Sequence, residues 1–435
     1  MVSKISIVGG KPLVGEVSIS GSKNASLPLL AASLLVEGES LLHNVPDIED
    51  VHTMVEILRA TGARVDVLPN HRLKIDARKV GHCCAPYELV RKMRASFYCA
   101  GALLGRLGKA EIPLPGGCYI GQRPVNFHLE GFAALGAKVN VEHGVMIAEG
   151  EHLKGARILL DQRFCSVGTT VNLMLAAVRA EGETVIENAS RDPDATECAK
   201  FLRQAGVNIE GIGTATLRIQ GLPRSRRLRE LEYKVIPDRM EAGTFILSAV
   251  GTKGDVTVHP VVPQQLDALL STLRQTGVRF EVGKDHIRAS LDATPTAVDV
   301  VTQPYPGFPT DLQPPVMVYM CGCEGRSIIE ETIFEGRLRY VGELRRMGAD
   351  IRVFDQTAVV EGVSQLSGAP VEANDTRAGA ALVLAGLVAK GRTEVSGAEL
   401  IARGYEDLDR KLREQLGALV ASQEEQPLKQ QLWSA

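Results

Sequence analysis

The sequence predicts an α/β protein of two domains, each built from three copies of a unit of about 70 residues. Three observations carry that expectation. A glycine followed by a short apolar strand recurs six times, in TGARV, LGAKV, AGVNI, TGVRF, MGADI and LGALV, with Gly62, Gly136, Gly206, Gly277, Gly348 and Gly417 separated by 74, 70, 71, 71 and 69 residues. A second series, EGES, LGKA, EGET, KGDV, EGRS and KGRT, interleaves with it and spaces Gly38, Gly108, Gly182, Gly254, Gly325 and Gly391 by 70, 74, 72, 71 and 66. The chain, at 435 residues, also exceeds the size of a single hydrophobic core.

Every unit reads in the same order. An Ala/Leu-rich stretch such as LPLLAASLLV or NLMLAAVRA precedes the second-series glycine and suits a largely buried helix. Gly38 and Gly182 then read as the residue just past the helix end, where a left-handed conformation is wanted and a Cβ is costly. Short alternating strands follow, SLLHNV and TVIENA among them. An amphipathic helix such as DVHTMVEILRATG or QQLDALLSTLRQTG runs to the first-series glycine, and two more strands close the unit, as in GVNIEGIGTATLRIQG. With a linking strand added, this is too long for a solenoid turn and the right size for a small α/β subdomain.

The ends of the chain refine the division. The sixth unit stops after LGALVAS without its last strand, whereas KISIVGG stands first with no helix before it. Residues 4–9 are therefore expected to pair with the C-terminal unit. Three units then occupy 22–235, and three occupy 236–425 joined to 1–21, with chain crossings near 20–22 and 235–237. Each domain would bury its apolar helices among three sheets, with a cleft between the domains. Residues 426–435 show no period and are expected to be a disordered tail.

Composition excludes several classes. A net charge of −3 and the lack of a basic run with interleaved aromatics argue against general nucleic-acid binding. The longest apolar stretch, AALVLAGLVA, is too short to span a bilayer, and MVSKISIVGG does not read as a signal peptide, so a cytoplasmic location is the default. The eight cysteines are scattered and fit reduced thiols. Cys83–Cys84 and Cys321/Cys323 have no clustered histidines, so they are read as core or surface thiols and no metal is expected.

Polar residues gather at two loop positions of the unit. The first is the junction before each apolar helix: GSKN (21–24), MRAS (93–96), CSVGTT (165–170), PDRMEAG (237–243), PTDLQ (309–313) and NDTRAGA (374–380). Capping explains any one of them. It does not explain Lys23, Arg94, Arg239 and Arg377, because a cation at a helix N-terminus opposes the macrodipole. A bound anion between cation and helix end would remove that conflict, and several such termini converging would make a strong anion site. The second position is the loop after the first strand, LPGGCYIGQRPVNFH (114–128), EETIFEGRLRY (330–340) and GAELIARGYE (397–406) in the second, fifth and sixth units. The first of these reads as a mobile loop able to close over a ligand, with Cys118 beside Arg123 as an exposed, activated thiol. Arg337 and Arg403 stand at equivalent places. With Asp311, in PGFPTDLQPP, as general base, these features describe a two-domain enzyme that closes on a multiply anionic, phosphorylated substrate. No P-loop, GxGxxG or zinc motif competes.

The six-fold unit, together with SGSKNASLP, MRAS, LPGGCYIGQRPV, FPTDLQ, FEGRLRY and RGYE, resembles the enolpyruvyl transferases from about residue 4 to 420. The resemblance implies a two-domain inverse α/β barrel and no cofactor. It also implies transfer of the enolpyruvyl group of phosphoenolpyruvate to the 3-hydroxyl of UDP-N-acetylglucosamine, the first committed step of peptidoglycan precursor synthesis. Carried over by motif, Cys118 is the proton donor and the residue the antibiotic fosfomycin alkylates, and Asp311 is the base. Lys23, Arg123 and Arg403 match the cations that bind phosphoenolpyruvate, with Lys23 and Arg403 also in catalytic roles and Arg337, Asp375 and Arg377 in support. Asn24, Arg94, Arg123, Pro124, Val125, Asn126, Phe127, Ser166, Val167 and Ile333 match positions that hold the UDP-sugar.

The chain departs from the family pattern at four places. Asn126 and Phe127 stand where Asp and Leu are usual, LDQRFCSVG is longer than LDFPSVG, Ala402 stands where an Asp precedes the Arg, and DLQPPV carries two prolines. An enolpyruvyl transferase for another acceptor and a catalytically silent relative therefore stay open as alternatives.

Overall fold

The computed structural model describes residues 3–114, 125–162 and 165–424. An apolar helix forms at each expected junction: Lys23–Ser33, Tyr98–Leu107, Val167–Ala177, Arg239–Gly251, Gln313–Met320 and Thr376–Val388. Four start on a side-chain cap. The Ser22 hydroxyl accepts from Ala25 N and the Ser166 hydroxyl from Thr169 N, both at 3.2 Å. One carboxylate oxygen of Asp238 accepts from Met240 N and Glu241 N, and one of Asp375 accepts from Arg377 N and Ala378 N. These bonds satisfy donors the first helical turn leaves unmet. Every residue from Ala25 to Ser33 is buried. A helix apolar on all sides belongs at the centre of a core, and these six occupy the core helices' places.

Among the described residues the strands form six sheets on a shared plan. Glu39–His43 is flanked by the parallel strand Leu231–Lys234 and the antiparallel strand Arg72–Asp76, with Arg64–Leu68 outermost. The sheets centred on Glu183–Glu187, Asp255–His259 and Arg326–Glu330 repeat this arrangement. Ser3–Val8 lies antiparallel between Arg392–Ser396 and Leu419–Glu424, so the sixth unit borrows the N-terminal strand it lacks. Among the described residues, the sheet of Lys109–Pro113, Val145–Glu149 and Lys138–Glu142 has three strands, and its parallel neighbour is reduced to one bridge between Cys84 and Glu111.

Two compact units result. Among the described residues, one holds those between Ser20 and Pro237 and the other joins 3–19 to 238–424, with three sheets in each. Each has its own apolar core, from Ala25 to Val235 in one and from Ile5 to Val420 in the other.

The first glycine series behaves as its sequence implies: all six members, from Gly62 at φ 101° to Gly417 at 67°, are left-handed. The second series needs correction. Gly182 is left-handed at 91°, but it stands five residues beyond Ala177, at the entry to the next strand rather than at the helix end. Gly38 is not left-handed at all. A Cβ there would lie 2.4 Å from the Glu230 carboxylate, so the position requires space rather than a special φ. Pro314 and Pro315, the unusual pair, lie in the first turn of the Gln313–Met320 helix, where a missing N–H costs little.

Candidate active site

In the unit that holds residues 238–424, a buried cluster forms around Asp311. Thr310–Leu312 is a single 3₁₀ turn running into the Gln313–Met320 helix, which fixes the Asp311 side chain at that helix's N-terminal end. Arg337 Nη2 donates to Asp311 Oδ1 at 2.7 Å and Arg377 Nε donates to Asp311 Oδ2 at 3.0 Å. Both guanidinium groups are almost wholly buried, at 1% and 5% exposure, whereas a quarter of the Asp311 side chain stays accessible. Each carboxylate oxygen of Asp311 is thus held by one guanidinium.

The arginines are held in turn. Arg337 Nε donates to Thr310 Oγ1 at 3.1 Å, its Nη1 lies 3.8 Å from Asp375, and the group stacks over Phe334 at 5.3 Å. Arg377 lies 5.1 Å from the Tyr405 ring, whose hydroxyl bonds Thr244 Oγ1 at 2.9 Å. Burial opposes the charge on Arg377, but Tyr405, Asp311 and Asp238 outweigh it and raise its pKa. Among the described residues its Nη1 is buried without a hydrogen-bond acceptor. An unmet buried donor on a guanidinium is what an anionic ligand oxygen would satisfy.

The carboxylate of Glu331 organises the neighbouring loop. It is fully buried and accepts from Thr310 Oγ1 and from the backbone N–H groups of Ile333 and Phe334 at 2.9 and 3.0 Å. Ile333 is thereby tied to the turn that bears Asp311. Arg403 caps the short helix Ala398–Ala402, half-buried and two residues before Tyr405, and Ala402 is exposed. Glu331, Thr310 and Tyr405 were not singled out in the sequence. Glu331 and Tyr405 lie inside the quoted EETIFEG and RGYE segments, and Thr310 inside PTDLQ; that was the available signal.

In the unit from Ser20 to Pro237, Lys23 opens its helix with Nζ 2.7 Å from Asp50 Oδ2, both side chains being largely buried. Asp50 sits in the first turn of Glu49–Ala60, where a carboxylate also complements the dipole. For Lys23 and Arg377, then, an internal carboxylate already offsets the cation that the sequence reading paired with a bound anion. Arg94 begins the 3₁₀ turn Arg94–Phe97, Asn24 is half-buried, and Ser166 and Val167 form the start of their helix. Val125 precedes the helix Asn126–Ala134, in which Asn126 is exposed and Phe127 half-buried. Cys118, Arg123 and Pro124 lie outside the described residues, as do residues 426–435.

His128, next along that helix, is buried edge-on against Phe97 with ring centroids 5.1 Å apart. Burial, helped by Arg94, pushes its pKa down to about 3, so the ring is neutral. Its Nδ1 accepts from Asn172 Nδ2 at 3.1 Å, which leaves the proton on Nε2. Asn172 Oδ1 in turn accepts from Gly101 N at 2.8 Å, and a Cβ on Gly101 would lie 2.1 Å from Asn172 O. The absence of a side chain at Gly101 therefore lets two core helices close to a distance at which Asn172 can orient His128.

Among the other cysteines, Cys99, Cys198, Cys321 and Cys323 are buried, as core thiols should be. Burial, with Glu111 and Cys83, pushes the exposed Cys84 thiol up to about 12. Among the described residues no helix is long and apolar enough to cross a membrane.

Residues 7–412 match the model of the EPSP synthase (3-phosphoshikimate 1-carboxyvinyltransferase) family, and the chain belongs to that family. Within it, the similarity is high to proteins named UDP-N-acetylglucosamine 1-carboxyvinyltransferase. One from Gloeobacter violaceus is 49% identical over 96% of this chain and 90% of its own length. Another, numbered 2, from Symbiobacterium thermophilum is 48% identical over 95% of this chain and 96% of its own. Among solved structures, the enolpyruvyl transferase NikO from Streptomyces tendae superposes with a TM-score of 0.88 at 26% identity, covering 97% of this chain and 99% of that one. An EPSP synthase from Acinetobacter baumannii has the same fold, with a TM-score of 0.74 at 18% identity over 97% of this chain and all of that one.

Proposed function

We propose that the protein transfers the enolpyruvyl group of phosphoenolpyruvate to the 3-hydroxyl of UDP-N-acetylglucosamine, releasing phosphate and supplying the first committed intermediate of peptidoglycan synthesis in the cytoplasm. The near-half identity to relatives of that name over almost the whole chain carries this reading. The family likeness also supports the finer architecture: an inverse α/β barrel of six units, three in a domain of residues 22–235 and three in 1–21 with 236–425.

An enol ether cannot form by simple displacement. C3 of phosphoenolpyruvate takes a proton while the sugar oxygen bonds to C2 and loses its own proton, giving a tetrahedral phosphate ketal. Loss of phosphate and of a C3 proton then restores the double bond. The path needs an acid at C3, a base at the hydroxyl and donors for phosphate and carboxylate. Cys118 is the acid and Asp311 the base, its carboxylate held by Arg337 and Arg377. Lys23, Arg123 and Arg403 bind phosphoenolpyruvate, and the unmet Nη1 of Arg377 supports an anionic ligand at that arginine. Asn24, Arg94, residues 123–127, Ser166, Val167 and Ile333 hold the UDP-sugar.

Phosphate release with UDP-N-acetylglucosamine tests the reading. Turnover with another acceptor and none with this one would overturn it. Fosfomycin should add one mass increment to a peptide containing Cys118 and abolish turnover. An unmodified Cys118 in active enzyme would remove that residue from its role.

A further inference from the structure

Cys83, Cys84 and Glu111 offer ligand atoms that all lie within 4.8 Å of one another. The fold explains how adjacent cysteines come to share a target. In a regular strand successive side chains point to opposite faces. Here the parallel neighbour of Lys109–Pro113 is reduced to the single bridge Cys84–Glu111, held by Glu111 N donating to Cys83 O at 2.8 Å and Ala85 N to Glu111 O at 3.3 Å. Freed from the pleat, the two sulfur atoms stand 3.7 Å apart, with Cys84 Sγ 3.0 Å from Glu111 Oε2.

We propose that Cys83, Cys84 and Glu111 form a binding site for a soft divalent cation of the zinc class. Two thiolates bound to tetrahedral zinc at about 2.3 Å are separated by about 3.8 Å, so the existing sulfur pair already spans one edge of the tetrahedron. The sulfur–oxygen edge would be about 3.6 Å, so Glu111 need withdraw by only about half an ångström once the thiol proton between them is gone. Binding releases two thiol protons to solvent and leaves a centre of charge −1 from one cation, two thiolates and one carboxylate. Lys109 Nζ, 2.9 Å from Glu111 Oε1, offsets that charge from the side away from the thiols. Cys84 is exposed and Cys83 half-buried, so the ion has a path in, and water completes the coordination.

Cadmium added to the reduced, full-length protein should produce the ultraviolet charge-transfer band of a metal thiolate at one equivalent. X-ray absorption of the one-equivalent zinc form should show two sulfur ligands. Cys83→Ser and, without loss of a thiol, Glu111→Gln should each weaken zinc binding at least about tenfold. Both should retain phosphate release, which reports that they are folded. Zinc bound by Cys83→Ser as tightly as by the unaltered protein, or fewer than two sulfur ligands in the zinc form, would overturn the assignment.

Discussion

Replacing Asp311 by Asn removes a charge and a base while keeping the shape. Two charge-assisted hydrogen bonds, from Arg337 Nη2 and Arg377 Nε, become bonds to a neutral amide, and one amide edge must now present a donor to a guanidinium. Arg337 keeps Thr310 and Asp375, so the cluster does not collapse. A stability loss of about 1–3 kcal/mol is expected, read from urea unfolding. The rate should suffer more. Loss of a positioned base costs about 10²–10⁴-fold, or roughly 3–5 kcal/mol of barrier, which places the variant far below the unaltered enzyme in a continuous phosphate-release assay at saturating substrates. Protection against unfolding by UDP-N-acetylglucosamine should persist, which separates lost chemistry from lost binding. A folded variant whose turnover stays within tenfold of the original would refute Asp311 as the base.

Lys411 and Glu241, paired at 2.5 Å with side chains 8% and 2% exposed, form a further buried ion pair. Glu241→Gln should cost about 3–5 kcal/mol in denaturant unfolding, whereas replacing both residues by methionine should cost far less. For His128 the sign follows from a folded pKa below the unfolded value of 6.5: the unfolded chain binds the extra proton, so stability falls as pH drops from 6.5 toward about 3. His128→Gln should flatten that dependence by up to about 1.4 kcal/mol per pH unit in unfolding curves taken across the window. Gly136→Ala meets no neighbour within 4 Å but must hold φ at 88°, so a loss of about 1 kcal/mol in thermal unfolding is expected. No measurable loss there would mean that the turn relaxes.

Much of the core plan was legible because it repeats. Six left-handed glycines at nearly constant spacing, each ending a helix, are a backbone requirement that only a few residue types meet, so Gly62 to Gly417 could be read directly. Gly38 shows the limit. A glycine needed for φ and one needed to admit Glu230, 192 residues away, are the same letter. In the site, motifs pointed to Asp311, Arg337, Asp375 and Arg377, and the structure brings these four together. Asp50 was invisible because it meets Lys23 from a different helix, and a carboxylate in a first helical turn looks like ordinary dipole pairing. The Gly101–Asn172–His128 chain was hidden for the same reason, spanning three helices with no local pattern.

The borrowed strand Ser3–Val8 also sets a timetable for synthesis. Once the ribosome has passed Pro237, every strand of the sheets between Ser20 and Pro237 has been synthesised. By then the other unit owns only Ser3–Val8 and Val14–Ser18, whose partners begin at Asp255 and Arg392. Those first strands must wait through most of translation with their ladder groups open, a state prone to pairing with other chains. The stretch 3–18 is therefore the segment for which a holding chaperone has most to offer, and its sheet is completed only when Leu419–Glu424 is made.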